Sequence, residues 1–145
     1  MSAPSPSPPG ALQSALAAEH AACYGYGIVG AHLQDMDRRM AREAWDVHRR
    51  RRNELRQFVR TRGMAPTPAE PSYELPLTVD GPDAAVRLAV RLEEGLTRTY
   101  TGLVAVTDPQ LRHYAARATQ DCSIWVLRWN GSPGAFPGLP KRVIS

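Results

Sequence analysis

Four segments of helical period, two short turns and one long proline-rich connection predict an all-α fold: a four-helix bundle with a long crossover between helices two and three. The most informative segment is Leu12 to Leu33, LQSALAAEHAACYGYGIVGAHL. Its positions Leu12, Leu16, Glu19, Cys23, Tyr26, Gly30 and Leu33 recur in alternating steps of four and three. A stripe at that spacing is the face one helix shows to its neighbours, and here it carries one acid, Glu19. A carboxylate taken out of water needs a metal, a cation or a proton beside it.

Length and composition bound the rest. A chain of 145 residues is one domain, with enough core to fold unaided. The formal net charge of +4 arises from 18 basic and 14 acidic residues. All the basic residues except Lys141 are arginine, a skew typical of a GC-rich bacterial genome. Cys23 and Cys122 are too few for a disulfide scaffold and both fall on apolar seams, which suits buried thiols in a reducing, cytoplasmic setting. The apolar run from Ala11 to Leu33 holds Glu19, His20 and His32 with no basic residue before it, so neither a signal peptide nor a membrane span is expected.

Residues 1–10, rich in Pro and Ser, are expected to be a disordered tail, residues 11–130 the bundle, and 131–145 a tail pinned onto it by Phe136 and Leu139. Helix one runs to about Leu33. Gly25, Gly27 and Gly30 in its second half each cost roughly 1 kcal/mol against alanine, which predicts a close approach of another backbone there. Helix two is expected from Asp37 to Arg62, stopped by Gly63, with a seam of Ala41, Ala44, His48, Arg51, Leu55 and Phe58. Counting back from the turn puts Glu19 level with Arg52 and Cys23 level with His48.

Residues 63–82 carry prolines and no helical period. A helix of helix two's length is about 39 Å long, and twenty extended residues reach roughly 66 Å, so the connection can return along the whole bundle and start helix three parallel to helix two. Helix three, Asp83 to Val106, has Ala85, Leu88, Leu92, Leu96, Leu103 and Val106 inward and Glu93 and Glu94 near its middle. Helix four presents Leu111, Ala115, Ala118, Cys122, Trp125 and Trp129. Glu19, His48, Arg51 or Arg52, Glu93 or Glu94 and Asp121 are thereby expected near one height.

This arrangement resembles the ferritin-like superfamily. AAEHAACYGYGIVGAHL, AWDVHRRRRNELR and RWNGSPGAFPGLP more closely resemble the actinobacterial ferritin-like domains of unknown function, DUF4439. The resemblance implies no activity. In metal-binding ferritin-like proteins, helices one and three each give a Glu, and helices two and four each give a Glu-x-x-His pair. Here Glu19, Glu93 or Glu94, and His48 match, whereas Trp45 stands at the Glu of helix two and helix four offers only Gln120 and Asp121. Arginine at the same level reverses the electrostatics that a di-metal centre requires.

The expectation is therefore a metal-free, non-enzymatic binding or structural module, with no cofactor and with Glu19, His48, Arg51 and Arg52 as a polar layer, Glu19 pairing with Arg51 or Arg52. The alternative is a degenerate protein holding iron or manganese through Glu19, His48, Glu93, Glu94 and Asp121, with oxidase or peroxide chemistry. Self-association as a homodimer is expected, with an unidentified protein or small-molecule partner. Arg49 to Arg52 spread over about 300° of helix, so they form no single basic stripe and argue against nucleic acid. His20, His32 and His113 lie off the seams and read as boundary or surface residues.

Overall fold

The computed structural model describes residues 7–106 and 108–132, which form four helices: α1 Pro8–Ala31, α2 Asp35–Thr61, α3 Pro82–Val104 and α4 Pro109–Asn130. Among the described residues there is no strand, and no helix is long and apolar enough to cross a membrane. Local chemistry sets the helix ends. Ser7 caps α1 by accepting from the Gly10 amide at 3.3 Å, with Pro8 at the first helical position. The expected tail is thus corrected, since residues 8–10 are the first turn of α1; residues 1–6 lie outside the described residues. Asp108 caps α4 by accepting from the amides of Gln110 and Leu111.

Gly63 ends α2 as expected. Its φ of 75° lets the Gly63 amide reach the Arg60 carbonyl (2.9 Å) and the Met64 amide reach that of Val59 (3.2 Å), a glycine-stopped C-terminus in which Met64 folds back onto the core.

α1 packs against both α2 and α3, and α3 packs against α4. The connection between α2 and α3 stays beside α1. Gln13 reaches the Ala65 carbonyl (2.8 Å) and the Thr67 amide (2.9 Å), His20 donates to the Thr67 carbonyl (2.9 Å), and Tyr24 meets Tyr73 at 5.7 Å between ring centroids. Helices on two sides and this strap on a third explain why α1 is buried along most of its length and apolar almost all round. Tyr73, Leu75, Leu77 and Val79 are half-buried and alternate with exposed neighbours, and the last three pack against the core cluster that holds Leu33 and Ala85.

Two apolar half-cores result. One gathers Leu12, Leu16, Leu55, Val59, Leu103 and Leu111. The other gathers Val29, Leu33, Ala44, Leu88, Trp125 and Trp129. Gly25 is the glycine that marks a close approach: a Cβ there would fall 2.6 Å from a Leu92 methyl. Gly27 faces open space and Gly30 has only an ordinary contact with Ala41, so the expected backbone approach reduces to one side-chain contact. Ser132 is buried and donates to Asp37 at 2.8 Å; the expected anchors Phe136 and Leu139 lie outside the described residues.

Candidate functional site

Between the two half-cores lies a polar layer. Glu19 from α1, His48 from α2 and Glu93 from α3 are each fully buried. They are brought together because each continues the apolar stripe of its helix: Leu16 and Glu19, Ala44 and His48, Ala89 and Glu93 stand one turn apart. His48 Nδ1 is 2.8 Å from Glu19 Oε2, and Nε2 is 2.7 Å from Glu93 Oε1. Two tyrosines complete it, Tyr100 donating to Glu19 Oε1 at 2.5 Å and Tyr26 to Glu93 Oε1 at 2.6 Å. Trp129 Nε1 in turn donates to the Tyr26 hydroxyl at 3.0 Å, and the Tyr26 ring stacks on the His48 imidazole at 5.5 Å.

An ionised carboxylate only accepts hydrogen bonds, so an imidazole placed between two of them donates from both nitrogens and is a cation. Burial pulls the His48 pKa down, but the charges of Glu19 and Glu93 outweigh it and raise the pKa to about 10. The same carboxylates act oppositely on acids nearby. Burial, then Glu93, pushes the Tyr26 hydroxyl up, and burial, then Glu19, does so for Tyr100. Both phenols therefore remain donors at neutral pH. The Cys122 thiol is raised by burial and by Glu93, and Cys23 to about 11 by burial and by Glu19. Neither is an activated nucleophile.

Several expected placements are corrected. Glu19 does not pair with Arg51 or Arg52. Arg51 donates to Asp121 at 2.5 Å and to the Cys122 sulfur at 3.6 Å, while half-buried Arg52 holds its own neighbour Asn53. Glu93 faces the core and Glu94 is exposed. Asp121 is on the surface side of Arg51, outside the layer. His20, expected at a boundary, is buried; burial lowers its pKa, and its Nδ1 has no partner among the described residues. Tyr100 was missed, though it extends the inward series Glu93, Leu96, Leu103 and could have been found by filling the gap in that stripe.

In this structure the candidate donors are engaged mostly by protein groups. Both nitrogens of His48 are spent on carboxylates, and Asp121 is turned to Arg51. Among the described residues, no group of three or more His, Cys, Asp and Glu is arranged to hold one. His48, protonated, is itself the cation between Glu19 and Glu93.

Residues 11–141 match a family described as a domain of unknown function, DUF4439. The chain belongs to the DUF4439 family. It is similar to the crystal structure of a conserved hypothetical protein from Mycobacterium tuberculosis, with 34% sequence identity and a TM-score of 0.84 over 90% of this chain and 92% of that one. No curated protein matches it.

Proposed function

We propose that this DUF4439 chain is a metal-free, ferritin-like bundle with a crossover between α2 and α3, acting as a binding or structural module and not as an enzyme. One observation carries this: His48 lies between Glu19 and Glu93 with both ring nitrogens within 2.8 Å of carboxylate oxygens. The imidazolium supplies the positive charge that inward carboxylates of a bundle require, and it ties α1, α2 and α3 together at one height. The crossover is supported by the strap of residues 62–81 held along α1 by Gln13 and His20. Two free thiols suit the cytoplasm. Exposed Met36 and Leu127, at the same end of the bundle, suit a homodimer.

The test is the response of stability to metal. Melting temperatures of the wild type with iron, with manganese and with chelator should agree, because a ligand that binds only the folded state would raise stability. A metal-dependent rise that disappears in Glu19→Ala would reject the metal-free bundle. It would favour the second reading, a single metal on Glu19, His48 and Glu93, for which the one supporting observation is that Glu93 Oε2 is buried without a partner among the described residues.

A further inference from the structure

α2 and α4 meet mainly through side chains, and the gap between them is a groove of about 740 Å³, within the roughly 300–1,000 Å³ of small-molecule sites. Polar rungs cross it at three heights. Arg128 holds Glu43 with two bonds of 3.0 and 2.9 Å, Arg51 holds Asp121 at 2.5 Å, and Tyr114 donates to Glu54 at 2.6 Å. Between the first two rungs the lining is apolar: Val47, Ile124 and Trp125.

The groove's charges are not all matched. Arg50 and Arg117 line it from opposite helices, and among the described residues neither has a carboxylate within ion-pair distance. Arg51 forms part of the floor. Its side chain is 9% exposed, but the Asp121 carboxylate it holds is 56% exposed. A guanidinium presents donors on two edges, and Asp121 shows that a carboxylate can reach this depth from the solvent side.

We propose that this groove binds a small molecule with an anionic head, carboxylate or phosphate, on an apolar body. Arg50, Arg51 and Arg117 take the head, displacing Asp121, and the body lies against Val47, Ile124 and Trp125. A peptide does not suit the groove: the Glu43 and Glu54 rungs lie about 16 Å apart along α2 at 1.5 Å per residue and cross it at both ends, so no continuous chain can run through. This deepens the binding-module reading, on which it rests, by naming the ligand class.

The experiment is calorimetric titration of the full chain with phenyl phosphate, phenylacetate and inorganic phosphate. At least one aryl anion should saturate a single site, and inorganic phosphate should bind at least tenfold more weakly. Arg50→Ala/Arg117→Ala, both exposed positions, should weaken aryl-anion binding at least tenfold, whereas Arg91→Ala on the α1–α3 side should leave it unchanged. Asp121→Asn, which removes the competing carboxylate, should tighten it several-fold. The better aryl anion identifies the head. No saturable binding of either aryl anion, equal affinity for inorganic phosphate, or wild-type affinity in Arg50→Ala/Arg117→Ala would each overturn the assignment. Metal response, measured on the same samples, separates the two readings: failed aryl-anion binding without metal stabilisation condemns the groove alone, and metal stabilisation with intact aryl-anion binding condemns the metal-free bundle alone.

Discussion

Two cations from α2 meet carboxylates across the bundle, three residues apart in sequence, and their surroundings differ in every respect that matters. His48 is fully buried between two carboxylates that are also fully buried. Arg51 sits at the edge of the core with its partner Asp121 more than half exposed. Coulomb attraction is several times stronger in the first environment, and so is the desolvation that opposes it. Burial, more than the count of ion pairs, therefore decides what each contributes: the His48 layer locks three helices, and the Arg51 rung joins α2 to α4 at the solvent edge.

The comparison breaks most visibly if one member of the layer is removed. Glu93→Ala should leave two buried donors, His48 Nε2–H and the Tyr26 hydroxyl, without their acceptor and the imidazolium with one carboxylate in place of two, costing about 3–5 kcal/mol, a large share of the roughly 5–15 kcal/mol that holds such a domain together. Glu70→Ala, at an exposed position of the connection, should stay within about 0.5 kcal/mol. Urea denaturation of the two variants measures the contrast. A small loss in Glu93→Ala would show that the layer is incidental.

A milder change tests the phenols. Tyr100→Phe deletes the hydroxyl that donates to Glu19 at 2.5 Å and leaves the ring in place. A hydrogen bond to a charged acceptor is worth about 1.5–3 kcal/mol, so denaturation should report a loss near 2 kcal/mol. Retention of wild-type stability would mean that Glu19 finds another donor.

The imidazolium also has a pH signature. Its folded pKa, about 10, lies above the ordinary 6.5, so the stability it contributes is fully present below pH 6.5 and is lost as pH rises through the folded value. Between pH 7 and 8.5 the unfolded chain has released the proton and the folded chain has not. Stability should fall by about 1.4 kcal/mol per pH unit across that window. His20, whose pKa is lowered, acts only on the acid side, and the thiols have ordinary values of 9.0. A flat profile in this window, or one that persists in His48→Gln, would assign the slope elsewhere.

Much of this layer was legible in the sequence, because a polar residue on an apolar stripe announces itself: Glu19 and His48 were placed inward by periodicity alone. The pairing was not. Counting from the turn sets height only to within about one turn, which leaves His48, Arg51 and Arg52 as competing partners for Glu19. What decides among them is solvent access. Arg52 sits on the flank of its helix, where a long side chain can carry its charge to water, as arginine stems commonly do; the short imidazole of His48 has no such exit. Glu93 could not be told from Glu94 for a related reason, since adjacent residues differ by only 100° and both border the seam. The open α2–α4 side left no trace in the pattern at all, because it depends on the distance between two helices that share no turn.

The smallest expected effect lies on that open side. Arg128 grips Glu43 with both terminal guanidinium nitrogens, at 3.0 and 2.9 Å, and packs over the Trp125 ring at 4.1 Å, yet both charged side chains are substantially exposed. Good geometry alone would suggest a strong pair. Water and salt screen it, and holding two long side chains in one arrangement costs entropy, so exposed pairs of this kind couple by only about 0.2–1 kcal/mol. A double-mutant cycle on Glu43→Ala and Arg128→Ala should give a coupling in that range, shrinking further in 1 M salt. A coupling as large as the loss in Glu93→Ala would mean that geometry outweighs burial in this bundle, and the distinction drawn between its closed and open sides would fail.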